Sequence, residues 1–113
     1  MVYDTAKRLA EELRQSEECI NLNAAKERIA DNNATRSLIE EYHRLQMRVQ
    51  AANMSGESNA DLLEKLQKIG ELLQFDQAAS AYLMAEFRMN RVLADVYKIL
   101  AEAIGVDLRA LEA

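Results

Sequence analysis

From Ala34 to about Met54 the apolar positions Leu38, Tyr42, Leu45, Val49 and Ala52 recur at alternating steps of four and three. That spacing lines one side of a helix with a heptad-like seam. At helical rise the segment is about 30 Å long. Ahead of it, Ala6, Leu9, Ala10 and Leu13 form a shorter stripe behind Asp4, a candidate N-cap. Ser16 followed by Glu17 and Glu18 has the makings of a fresh helix start, a hydroxyl to cap and acids for the first turn. A break or kink is therefore expected at Ser16. Ile20, Ala24, Ala25 and Ile29 continue an apolar stripe, and the polar cluster Asp31, Asn32 and Asn33 marks the next boundary, because such side chains satisfy helix ends better than helix interiors.

Ser55 to Asn59 is the clear loop, with Gly56 placed to take a left-handed conformation past a helix end. The next stripe is Leu62, Leu66, Ile69 and Leu73, flanked by Leu63 and Leu72 and ending near Phe75 and Asp76. A last helix, about 40 Å long at helical rise, is predicted from Gln77 to Ile104. Its seam reads Leu83, Phe87, Asn90, Ala94, Tyr97, Ala101 and Ile104, and a second row of Tyr82, Met89, Leu93, Val96 and Leu100 widens the apolar face. Gly105 is a natural stop, with a short turn expected at 106–109.

Composition narrows the class. The chain has 113 residues, half of them hydrophobic, with no proline and three glycines. A sheet would lack its turn residues and its favoured strand residues, so the expected fold is all-α, one domain over residues 1–113. Two long helices joined by a short one do not wrap a sphere of about 13 Å radius of gyration. The expectation is an elongated helical bundle completed by self-association as a homodimer or higher oligomer. Its interface is placed on Tyr82, Leu83, Phe87, Met89, Asn90, Leu93, Val96, Tyr97 and Leu100. A monomeric bundle whose helices fold back completely is the alternative.

Charge and motifs then exclude more than they assign. A net charge of -5 argues against nucleic acid as the main partner, since phosphate neutralisation needs clustered cations. Cys19, the single cysteine, forms no internal disulfide and no multi-thiolate metal centre. It reads as a buried small hydrophobe or, at a helix start, as a redox-sensing thiol whose activation Glu17 and Glu18 oppose. No glycine-rich phosphate loop, His-Glu-x-x-His or Gly-x-Ser-x-Gly occurs. No enzyme activity and no cofactor is expected. Glu40 and His43 have the Glu-x-x-His spacing of a di-metal bundle ligand pair, but the further inward glutamates are missing apart from Glu86. Arg36, Arg44 and Arg48 make a candidate partner surface, for protein or, as the alternative with Glu40 and His43, for RNA or a metal. Glu40, Glu41 and Glu64 interleave with them and with Lys65 and Lys68, as on a salt-bridged solvent face. Asn90 reads equally as a register-fixing seam residue or a solvated flank. The first residues carry charge early and show no long apolar run, so no signal peptide or membrane span is expected and the location follows as cytoplasmic.

Several segments, taken in order, carry a family likeness: Tyr3 to Ala6 with Leu9 and Ala10, Ser16 to Glu18, Ala25 to Ile29, the Leu45-Gln46 step before the Met54 to Glu57 loop, and Glu86 to Ile99. Together they resemble the YlbF/YmcA family of small helical bacterial proteins from Tyr3 to Leu108. Relatives often have an Asn-Pro-like break before the last helix, where this chain has Phe75-Asp76-Gln77-Ala78. Some have cysteine-rich tails linked to iron–sulfur binding; no such tail stands before Ala113, and that role is not carried over. The resemblance implies a non-enzymatic cytoplasmic adaptor of Gram-positive-type bacteria. It implies action with sister proteins on an RNase Y-like endoribonuclease, and through it on competence, sporulation or biofilm development.

Overall fold

The computed structural model describes residues 1–106. Five helices follow one another: α1 (Val2–Arg14), α2 (Glu17–Ile29), α3 (Asn33–Ser55), α4 (Ala60–Gln74) and α5 (Gln77–Ile104). No strand occurs among the described residues. The protein is all-α, as the scarcity of turn and strand residues predicts. The turn expected at 106–109 lies, beyond Val106, outside the described residues.

Three of the four joints between helices are made by side chains. At the first, the Ser16 hydroxyl donates to the Leu13 carbonyl at 2.6 Å and accepts the Cys19 N–H at 3.2 Å, closing α1 and capping α2 at once. At the second, Asn32 Oδ1 accepts the Thr35 N–H at 3.0 Å as the α3 N-cap. The third joins α4 to α5 through Asp76, whose Oδ1 accepts the Ala79 N–H at 3.0 Å and whose Oδ2 accepts the Thr35 hydroxyl at 2.5 Å. Gly56 ends α3 with φ 76, and Gly105 follows α5 with φ 73, both in the left-handed region that glycine enters without steric cost.

Asp4 is not the cap of α1. The helix begins two residues earlier at Val2, and the Asp4 carboxylate sits inside the first turn, paired with the amino terminus at 2.9 Å. There it complements the helix dipole. The stripe expected on α2 also shifts. Ala25 and Ile29 are buried, but Ile20 and Ala24 are exposed, and of α2 only Ile29 enters a core cluster.

The backbone resolves into two compact units. The first holds Met1–Leu22 with the chain from Met84 onward; the second is Asn23–Leu83. In the second unit α3 and α4 pack against one another across the loop after Gly56. The α3 seam Leu38, Tyr42, Leu45, Val49 and Ala52 and the α4 stripe Leu62, Leu66, Ile69 and Leu73 are all buried or half-buried. Ile29, Ile39, Leu73 and Ala79 form a buried cluster against which Tyr42, Ile69, Tyr82 and Leu83 pack. In the first unit Leu9, Leu13, Val92, Leu93 and Val96 are half-buried, and Ala85, Met89 and Ala101 are buried.

Gly70 lies inside α4, where a methyl group on its Cα would meet only Tyr42 at 3.8 Å, an ordinary contact distance. Gly70→Ala should therefore raise stability by about 0.5–1 kcal/mol through helix propensity alone. A higher urea midpoint with an unchanged slope checks this, and a lower midpoint would show that the α3–α4 packing has no room for the methyl.

Candidate partner-binding surfaces

Helix α5 carries the residues expected at a self-association interface, and the structure divides them. Tyr82 and Leu83 pack on the core cluster of the second unit. In the first unit Met89 is buried, and Leu93 and Val96 are half-buried. Phe87, Asn90, Tyr97 and Leu100 are exposed. Along the predicted seam Leu83 is half-buried and Ala101 buried, while Phe87, Asn90, Ala94, Tyr97 and Ile104 are exposed, Phe87 and Tyr97 with 63% and 57% of their surface in water. Asn90 is thus among the exposed residues and not among the buried ones. Single exposed apolar residues are ordinary, but several large ones along one helix make a candidate interaction surface.

The arginines of α3 do not form one strip. At about 100° per residue, Arg36 and Arg48 point about 120° apart around the helix. Arg36 donates to the Ala30 carbonyl at 3.2 Å, closing the end of α2. Arg44 reaches Glu41, with Nε to Oε2 at 2.9 Å and NH2 to Oε1 at 2.5 Å. That hydrogen-bonded pair holds the Glu41 carboxyl below its ordinary range, and Arg48 and Lys65 add smaller attractions. Both partners are solvent-exposed enough for the bridge to contribute little stability.

Glu40 and His43 line a groove of about 400 Å³ in the second unit. Ile29, Ala30, Ile39 and Tyr82 also line it, together with Lys26 and Arg36. Among the described residues no three His, Cys, Asp or Glu side chains come together in a way that could hold a metal ion. Glu40 and His43 thus meet a mixed apolar and cationic surface, with no companion ligands. The groove was hidden in the sequence because Lys26 and Tyr82 are far from His43 along the chain. Cys19 is half-buried in the first turn of α2, its N–H bound to Ser16.

Residues 2–105 match the family described as control of competence regulator ComK, YlbF/YmcA. The chain belongs to the YlbF/YmcA family. A UPF0342 protein of Symbiobacterium thermophilum is 39% identical over 108 residues, covering 95% of this chain and 96% of that relative. One from Halothermothrix orenii is 33% identical, covering 95% and 92%. Among solved structures, a protein of unknown function (DUF964) from Bacillus stearothermophilus superposes with a TM-score of 0.74 at 22% identity, covering 92% of each chain. RicA of Bacillus subtilis, solved in complex with RicF, gives a TM-score of 0.59 at 19% identity, covering 92% of this chain and 93% of that one. At those identities the two structures show a shared helical fold. No helix among the described residues is long and apolar enough to cross a membrane.

Proposed function

We propose that this protein is a non-enzymatic adaptor that works in the cytoplasm by binding other proteins through its helical surfaces. The observation that carries the reading is the set of large apolar side chains exposed on α5, Phe87, Tyr97, Leu100 and Ile104, which offers a helix-pairing surface and no reactive group. The family's description as a control element for a competence regulator supports it, as does the capture of RicA, a fold relative, in complex with RicF. This surface pairs with a second copy of this chain or with a sister family protein. The client is an RNase Y-like endoribonuclease, through which the adaptor acts on RNA processing and on competence, sporulation or biofilm development.

The test has two parts. Sedimentation at micromolar concentration should give a dimer or larger for the wild type and a folded monomer for Phe87→Asp with Tyr97→Asp, because charges in a buried seam cost several kcal/mol. Affinity capture from the source cells should retain the nuclease, and the purified adaptor should cleave no RNA. A wild-type monomer at every concentration removes the self-pairing. RNA cleavage abolished by a point substitution in this chain removes the adaptor reading.

A further inference from the structure

The side of α3 opposite its buried seam carries Met47 and Met54, which are 70% and 89% exposed. They are seven residues apart, two helical turns, with Gln50 and Ala51 between them on the same side. Continued toward the helix start at steps of four and three, the stripe passes through His43, Glu40 and Arg36 and runs into the 400 Å³ groove. From Arg36 to Met54 the stripe is about 27 Å long at helical rise.

The charge along this stripe differs from that of the whole. The chain carries a net charge of -5, yet the groove and the adjoining flank of α3 carry Lys26, Arg36, Arg44 and Arg48 against Glu40 and Glu41. Four cations against two carboxylates leave a surplus of two positive charges beside exposed thioethers. Methionine is the adaptable apolar side chain of helix-binding surfaces, and seven-residue spacing is how one helix reads another.

We propose that this stripe and its groove are the docking face for an amphipathic helix of a partner protein, about five turns long, whose apolar edge is flanked by acidic residues. The proposal rests on the adaptor reading and assigns it a surface separate from that of α5. The partner's apolar side chains lie over Met47 and Met54, and an acidic side chain at one end enters the groove toward Lys26 and Arg36. Its flanking carboxylates meet Arg36 at the groove and Arg48 on the flank of α3, which sets orientation and encounter rate more than affinity. RNA fits less well, because Glu40 and Glu41 stand among the cations and the two rings at the groove, His43 and Tyr82, are both half-buried, Tyr82 against the core cluster.

The probes are two synthetic 18-residue helical peptides with the same leucine edge, one flanked by glutamates and one by lysines, titrated into the full chain labelled with 13C at its methionine methyls. The glutamate peptide should shift the Met47 and Met54 signals saturably and leave Met84 and Met89 in place. The lysine peptide should bind at least tenfold more weakly. Lys26→Glu with Arg48→Glu, and separately Met47→Ser with Met54→Ser, should each weaken the glutamate peptide at least tenfold without moving the thermal midpoint. The proposal is overturned by equal binding of both peptides, by no saturable shift with either, by a shift at Met84 instead, or by the same shift from a single-stranded RNA. The adaptor reading is judged apart from this by client capture. A client held equally by the wild type and by both variants overturns the α3 face alone, and no client on the wild type overturns the adaptor.

Discussion

Leu73→Ala should cost about 3 kcal/mol of stability, while Leu72→Ala, one residue away, should cost under about 1 kcal/mol. Leu73 is 2% exposed and sits in the cluster with Ile29, Ile39 and Ala79. Removing its three carbons leaves a cavity walled by residues of four helices, which have no common direction in which to collapse. Leu72 is 57% exposed, so most of its side chain is already in water and truncation forfeits little burial. Urea unfolding of the two variants against wild type measures the gap. Domains of this size are held by roughly 5–15 kcal/mol, so Leu73→Ala should lower the midpoint strongly. Equal effects would mean that the α4 stripe faces the wrong way.

The second large effect belongs to Asp76. Thr35 is 3% exposed, and its hydroxyl has the Asp76 carboxylate as acceptor at 2.5 Å. The same carboxylate caps α5 through the Ala79 N–H. Asp76→Ala removes the cap and strands a buried hydroxyl, for a loss of about 2–3 kcal/mol. Asp76→Asn keeps an acceptor oxygen and should lose about half as much. The Thr35 hydrogen bond, then the Ala79 N–H, hold the carboxyl below its ordinary pKa. A group whose folded pKa is depressed contributes stability that is complete above its unfolded value, near 3.9, and is lost as pH falls through the lower folded value. The stability gap between wild type and Asp76→Asn should therefore be constant at neutral pH and shrink below about pH 4. A gap that persists unchanged through the acid range would show that the carboxylate's charge contributes nothing.

The helices were legible because each carries an apolar stripe long enough to set its phase, and because Ser16, Asn32 and Gly56 are residues whose chemistry favours ends. Gln77 and Ile104 bound α5 as periodicity predicts. What was hidden depends on partners distant in sequence. Ile39 lies beside the α3 seam and is buried all the same, because α3 buries a broad arc of its surface. Thr35 looks like an ordinary first-turn residue until Asp76, 41 positions on, arrives beside it. On α5 both rows are equally apolar in sequence, and only packing shows that Met89, Leu93 and Val96 are sheltered within the chain while Phe87 and Tyr97 are left in water. The arginines repeat on α3, yet their angular spread separates them, so repetition of a residue type gave no surface by itself.

The joints at Ser16, Asn32 and Asp76 are held by hydroxyl, amide and carboxylate hydrogen bonds, in a chain with no proline and one cysteine. Such joints keep time differently from rings and cross-links. A prolyl bond resets over tens of seconds and a disulfide over minutes or longer, whereas a helix end melts and re-forms in about a microsecond or less. None of the three joints holds a memory of its previous state beyond that interval. A binding partner would therefore meet the helix ends at these joints already at equilibrium between frayed and closed forms.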